Sequence, residues 1–126
     1  MPLVRISIRT GKPEEYRRAI GKGVHRALLE AADVPPGDEF QIISEHDRSG
    51  LIYDSNYLDI ERDDDVVFIQ ITLNAGRSIA VKQALYARIA ELLSADPGIR
   101  KQNILVNLVE VPKENWSFGN GEAQYA

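Results

Sequence analysis

Apolar and polar residues alternate strictly over positions 4–9 of the chain. A period of two predicts a half-buried strand. Three further strands are predicted. One starts at Phe40 after the turn-forming residues 33–38, another covers the apolar run 66–73, and the last covers residues 104–109. The chain should therefore contain four strands, of which the third is the most apolar.

Two segments carry apolar residues at spacings of three and four, which predicts amphipathic helices. The first helix should begin at Pro13, which suits a first helical turn, and at the acidic residues 14–15, which the helix dipole favours there. It should end near Ala32. The second helix should follow Ser78 as its N-cap and stop before Ala95.

The predicted elements form two strand-helix-strand units, at about 2–45 and 67–110, joined by an irregular connector. Their apolar positions match at a constant offset of 65 residues, as from Val4 to Ile69 or from Leu28 to Leu93. A duplicated unit explains this match better than two unrelated units of equal length. We therefore expect one domain over residues 1–126 with an α/β (α+β) fold: a four-stranded mixed sheet with two helices on one face.

The second face of such a sheet would lack a helical cover. It should present a mixture of apolar and polar side chains, namely Arg5, Phe68, Gln70, Leu105, Asn107 and Val109. A half-apolar face of this kind is usually buried by another subunit. The pattern predicts a homo-oligomer.

Composition limits the classes of function. A net charge of -4 argues against nucleic acid as a partner, and no apolar run approaches the length of a membrane span or forms a signal peptide. The chain has no cysteine, which excludes disulfides and thiolate chemistry. The two histidines, His25 and His46, lack a zinc-ligand spacing. We expect a cytoplasmic enzyme or binding module with no metal and no cofactor. The acidic run 61–65 is interpreted as a solvated loop.

Pro2 is the first candidate for chemistry. Removal of Met1 would leave proline as the amino terminus of the first strand, with a secondary amine. A free α-amino group titrates near ~7.7–8.0, so it can act as a base or an acid at neutral pH. The simpler interpretation is that a small second residue only permits removal of Met1. A retained Met1 would convert the nitrogen of Pro2 into an amide and silence it.

Three further sets of residues are candidates. Asp38 precedes the second strand and is either a site carboxylate or a turn residue after Gly37. Arg77 follows the third strand and is either a ligand-binding cation or a surface arginine. Trp116 and Phe118 lie in a Gly- and Asn-rich tail, where they either attach the tail to the core or form the wall of a pocket.

These residues occur within motifs that resemble a known family. The chain begins Met-Pro, has Val-Pro-Pro-Gly-Asp-Glu-Phe-Gln at 34–41 and Ala-Gly-Arg-Ser at 75–78, and has Asn-Trp-Ser-Phe-Gly at 115–119. Together with the doubled strand-helix-strand order, they resemble the tautomerase superfamily, and within it the malonate semialdehyde decarboxylase-like branch. The resemblance spans the whole chain.

The resemblance implies a homotrimer with the amino-terminal proline, Pro2, as catalyst. It implies that Asp38 places or activates water, or hydrogen-bonds a substrate oxygen, and that Arg77 binds the carboxylate of a small substrate. Trp116 and Phe118 would form an apolar wall beside the amine, and Tyr125 matches a further aromatic residue of that wall. The decarboxylase pattern has two arginines in the turn after the third strand. Here Ala75 takes the first place.

Three functions are compatible with these residues and with the resemblance. The first is keto-enol tautomerisation of a small 2-oxo or 3-oxo carboxylic acid, with Pro2 as the acid/base. The second is decarboxylation or hydration, with a cationic Pro2 and with Asp38 directing water. The third is a non-enzymatic oligomeric binding module, in which Pro2 is only a processing residue.

Overall fold

A four-stranded sheet and two helices make up the computed structural model, which describes residues 2–126. The elements follow in the order β1 (Leu3–Arg9), α1 (Glu14–Ala31), β2 (Gln41–His46), β3 (Val67–Asn74), α2 (Ile79–Ala95) and β4 (Ile104–Val111). Within these residues, neither helix is long and apolar enough to cross a membrane.

The order of the strands across the sheet is β2-β1-β3-β4. β1 runs parallel to β2 and β3 runs parallel to β4, whereas the two central strands are antiparallel, with Leu3 opposite Thr72. The start of β1 therefore lies beside the end of β3. The predicted mixed sheet is confirmed. Its antiparallel central strands bring the region of Pro2 and the turn after β3 to the same end of the sheet.

One hydrophobic core joins both helices to the same face of the sheet. It contains alternate residues of the central strands and the apolar stripes of the helices, including Val4, Ile6, Ile8, Ile20, Val24, Leu28, Ile69, Ile71, Leu73, Leu85, Ile89 and Leu93. Burying each large side chain contributes about 1.5–3 kcal/mol. Strand alternation therefore determines which face receives the helices, as predicted.

The other face of the sheet carries the predicted half-apolar mixture. Ile42, Leu105 and Val109 remain 42%, 42% and 37% exposed there. Gln70 donates a 3.1 Å hydrogen bond to Asn107 across the strands. Side chains from β1, β2, β3 and β4 surround a groove of about 350 Å³ on this face.

The ends of the elements differ slightly from the predicted ones. Pro13 lies immediately before α1 as its N-cap residue, rather than inside the first turn. Ser78 caps α2 as predicted and accepts a 3.2 Å hydrogen bond from the backbone N–H of Val81. α2 continues through Ala95. β2 begins one residue after Phe40, although the carbonyl of Phe40 still accepts a 3.0 Å hydrogen bond from Val4.

The acidic run in the connector forms no helix or strand and is largely exposed, in agreement with its interpretation as a solvated loop, but it also makes specific contacts. Asp63 accepts a 2.8 Å hydrogen bond from the buried Asn103. Asp64 accepts a 2.8 Å hydrogen bond from Tyr53, which holds the pKa of the Asp64 carboxyl below its usual value. Asp65 forms a 2.9 Å ion pair with Lys12. The run attaches the connector to the rest of the chain because cationic and amide side chains converge on it.

Candidate functional site

Pro2 lies at the head of β1 and is buried. It lines a cavity of about 210 Å³ at the end of the sheet where β1 begins, together with Leu3, Phe40, Trp116, Ser117 and Phe118. Three chain segments meet there: the start of β1, the approach to β2, and the tail that follows β4. The parallel pairing of β1 with β2 brings the first two segments together.

Aromatic rings form one wall of this cavity. Phe118 stacks on Trp116, with ring centres 5.2 Å apart and planes 13° apart. The ring centre of Phe118 also lies 6.0 Å from that of Phe40, and Phe118 forms a T-shaped pair with Tyr125 at 5.6 Å and 89°. Such stacked and edge-on pairs add to the energy of simple burial. Tyr125 therefore packs against the wall through Phe118, without lining the cavity itself.

The tail that carries these rings is folded back by a side-chain amide. Gln124 accepts a 2.9 Å hydrogen bond from the backbone N–H of Phe118 and donates one of 2.9 Å to the carbonyl of Gly119. The turn that the amide closes has positive φ at residues 119–121, where two of the three residues are glycines. This turn places Tyr125 against Phe118.

Trp116 is attached to the sheet by its only polar atom. Its indole Nε1 donates a 2.7 Å hydrogen bond to Oδ1 of Asn74, the last residue of β3. An indole has a single N–H donor, so one acceptor satisfies it. The bond joins the tail to the sheet across 42 residues of sequence.

Arg77 lies in the turn after β3, at the same end of the sheet, but does not line the cavity. Its Nε and Nη2 donate to the carbonyl of Ala32 at 3.2 and 3.0 Å, and its Nη1 donates to the carbonyl of Asn74 at 3.1 Å. These bonds use three of the five N–H groups of the guanidinium and leave one on each terminal nitrogen.

Asp38 is half-buried and lies two residues before Phe40. Its backbone N–H donates a 3.0 Å hydrogen bond to the carbonyl of Pro35, which closes a turn before β2. The position agrees with the turn interpretation. Asp38 is close in sequence to Phe40, which lines the cavity, but Asp38 itself does not line it. Its role in a reaction stays a prediction.

The structure thus brings together Pro2, Trp116 and Phe118 of the predicted site residues. It adds Leu3, Phe40 and Asn74, which the sequence patterns did not indicate as site residues. Phe40 could have been recognised as a site residue, because it is an aromatic residue directly before a strand. No feature of the sequence marks Asn74, an asparagine at the end of a strand, as a site residue. Among residues 2–126, no group of three or more His, Asp or Glu side chains is arranged to hold a metal ion.

Comparison with known proteins identifies the family. One tautomerase-enzyme family profile matches residues 38–119, and a second matches residues 2–58. The chain belongs to the tautomerase family. The matched segments include the head of β1 and the Trp116–Phe118 wall, so the family match covers the cavity described above.

Individual relatives span almost the whole chain. This chain is 37% identical over 124 residues to the probable tautomerase YusQ of Bacillus subtilis (strain 168), and the alignment covers 98% of each chain. The structure of FG41 malonate semialdehyde decarboxylase inhibited by 3-bromopropiolate is 39% identical, with a TM-score of 0.91 over 98% of this chain and 93% of that one. A second malonate semialdehyde decarboxylase, analysed for decarboxylase and hydratase activities, is 27% identical with a TM-score of 0.91, over 98% of this chain and 95% of that one. The predicted family and branch are thereby confirmed.

Proposed function

We propose that the protein is an enzyme that acts on a small 2-oxo or 3-oxo carboxylic acid and catalyses its keto-enol tautomerisation with the nitrogen of Pro2. The observation that carries this proposal is the burial of Pro2 at the head of β1, where it lines the aromatic cavity. The proposal requires that Met1 is removed, which leaves a secondary amine facing the cavity.

The surroundings of Pro2 favour a neutral amine. Leu3, Phe40, Trp116 and Phe118 supply apolar groups around it. Burial among apolar groups disfavours a charged amine, so the nitrogen can accept a proton near neutral pH. In the proposed reaction, it takes the proton from the enol oxygen and returns one to carbon.

Arg77 is the proposed anchor for the substrate carboxylate. The three hydrogen bonds to Ala32 and Asn74 hold its guanidinium in one orientation before any ligand arrives. The two N–H groups left on the terminal nitrogens can donate hydrogen bonds to both oxygens of a carboxylate. Holding the carboxylate in this way would orient the reacting carbon towards the amine.

Decarboxylation or hydration is the second candidate, favoured by the 39% identity to FG41 malonate semialdehyde decarboxylase. In this reaction, a protonated Pro2 would polarise the carbonyl, and Asp38 would direct water or hold a substrate oxygen. Asp38 stands two residues before Phe40, on the segment that borders the cavity. A single arginine in the turn, beside Ala75, gives less control of orientation, so tautomerisation ranks first.

The deciding experiment has two steps. Mass spectrometry of the purified chain first establishes whether Met1 is present. Wild type, Pro2→Ala and the control Pro13→Ala, an exposed proline before α1, are then assayed with an enolised 2-oxo acid and with malonate semialdehyde. Pro2→Ala replaces the ring-held secondary amine with a primary amine that can rotate, so kcat/KM should fall, by up to the about 10²- to 10⁴-fold that a positioned acid/base contributes, and the control should be unchanged.

The two substrates separate the candidates. Turnover of the enol alone supports tautomerisation, whereas release of CO₂ from the semialdehyde supports the second reaction. Full activity in Pro2→Ala would remove the proline from the mechanism. A retained Met1 with no activity on either substrate would support the non-enzymatic binding module.

We also infer that the working form is a homotrimer whose subunits bury the open face of the sheet. Leu105 and Val109 are exposed on this face, and three apolar residues of the connector, Ile52, Tyr57 and Leu58, are exposed by 79%, 65% and 72%. Exposed apolar groups in such number indicate a protein partner. A second copy of the chain supplies the same apolar surface.

A further inference from the structure

Asn74 bonds to two parts of the candidate site at once. Its side-chain Oδ1 accepts from Trp116 at 2.7 Å, and its backbone carbonyl accepts from Arg77 at 3.1 Å. We propose that Asn74 is a positioning residue that orients the indole of Trp116 as the wall of the Pro2 cavity and links that wall to the turn carrying Arg77. The proposal rests on the function proposed above.

The location of Asn74 in the sheet explains how it can do this. β3 lies antiparallel to β1, with Leu3 opposite Thr72. Because side chains alternate along a strand, Thr72 and Asn74 project from the same face of the sheet as Leu3, which lines the cavity. The side chain of Asn74 is therefore directed from the rigid end of a central strand towards the tail.

The hydrogen bond selects one orientation of the indole. Trp116 is half-buried, and its stacking on Phe118 would also allow the ring to be turned over. Turning it over would withdraw its only N–H donor from Asn74 and leave a partly buried donor without its partner. Asn74 thus holds the ring face that the substrate meets.

An amide is better suited to this position than a carboxylate. An aspartate could accept the same hydrogen bond, but it would add a negative charge at the end of the sheet where β1 begins. A nearby negative charge favours the protonated form of an amine. A neutral acceptor holds the ring without changing the protonation of Pro2.

The chain provides a direct probe, because Trp116 is its single tryptophan. Tryptophan emission and its quenching by acrylamide therefore report on this ring alone. The variants are Asn74→Leu, which keeps the size but lacks the acceptor, and Asn74→Asp, which keeps the acceptor but adds charge. Gln83→Leu, an exposed amide on α2, is the matched control.

In Asn74→Leu, the emission should shift to longer wavelength and the quenching should increase. Its kcat/KM should fall about 10- to 100-fold, the effect of a displaced wall. Asn74→Asp should keep the wild-type emission and move the pH profile of kcat/KM to higher pH, because the added charge favours the protonated amine. The control should match wild type in each measurement.

A double-mutant cycle with Trp116→Phe isolates the bond. Once the indole N–H is absent, Asn74→Leu should no longer lower kcat/KM. Additive effects would overturn the proposal, as would an unchanged emission in Asn74→Leu. If Asn74→Leu does not fold, the decision passes to Asn74→Asp, which keeps the acceptor and must therefore keep the wild-type emission while its pH profile shifts for the proposal to stand. The emission measurement needs no turnover, so it distinguishes failure of this proposal from failure of the proposed function.

Discussion

Arg77 donates two hydrogen bonds, from Nε and Nη2, to the single carbonyl oxygen of Ala32. Ala32 is the residue that caps the C-terminal end of α1, where backbone carbonyls lack helical partners. A cation is favoured there because the helix end carries partial negative charge. The contact joins the turn after β3 to the end of α1, so Arg77 supports the fold independently of any ligand.

Replacing this arginine should therefore weaken the fold as well as the site. Arg77→Ala removes three charge-assisted hydrogen bonds at a half-buried position, and we expect the free energy of unfolding to fall by about 1–3 kcal/mol. Arg77→Lys should lose part of this energy, because an ammonium cannot form the fork. Urea denaturation measures both. Arg18→Ala, whose partner is the exposed Glu14, is the control. Equal stability of Arg77→Ala and wild type would contradict the structural role.

The strands and helices could be predicted because their signals are local. Alternation in β1 and the run of apolar residues in β3 place Val4 and Ile69 in the core, and both are buried. Topology then brings the head of β1 to the end of β3, which follows from two parallel units joined in antiparallel fashion. The position of Pro2 beside the turn of Arg77 is thus a consequence of pattern and connectivity.

The contacts that build the site could not be predicted in this way. Trp116 bonds to Asn74 across 42 residues, and Arg77 bonds to Ala32 across 45. No periodicity records such pairs, because each depends on the final packing of loops against strand ends. The contacts of the acidic run could not be predicted for the same reason. Its principal partner, Asn103, lies in a polar stretch that gives no sign of being buried.

Asn103 is a second residue whose loss should lower stability. It is 2% exposed, accepts a 3.0 Å hydrogen bond from the backbone N–H of Asp63, and donates one of 2.8 Å to its carboxylate. Asn103→Leu preserves the size but leaves these groups of Asp63 without that partner, at a cost of about 1–3 kcal/mol. Chemical denaturation tests this value against Gln102→Leu, an exposed neighbour. The same change in both variants would mean that the buried amide has no special role.

The stability of the fold should depend on acid through Glu30. Its carboxylate accepts hydrogen bonds from Arg88 at 2.5 Å and from Arg26 at 3.0 Å, and these lower the pKa of Glu30 from 4.5 to about 2, with Arg88 as the larger cause. A carboxyl with a lowered pKa stabilises the folded state above its unfolded pKa. That contribution is lost as the pH falls from 4.5 towards 2.

Glu30→Gln should therefore be less stable than wild type near pH 6, and the difference should shrink as the pH is lowered to about 2. Denaturation curves measured at several pH values give the free energy of unfolding of each variant. Glu14→Gln, with one exposed partner on its own helix, serves for comparison. A difference between Glu30→Gln and wild type that stays constant from pH 6 to 2 would contradict the assigned cause.

The open face of the sheet provides a test of assembly. Leu105 is 42% exposed there, whereas Ile79 is 75% exposed on α2, on the side of the sheet that the helices cover. Leu105→Asp would bury an unpaired carboxylate in each subunit interface, which costs several kcal/mol per site. It should convert the proposed trimer into monomers. Ile79→Asp introduces the same charge away from that face and should leave the trimer intact. Sedimentation velocity distinguishes the species. A wild-type monomer, or a trimer that tolerates Leu105→Asp, would show that the open face is not the interface.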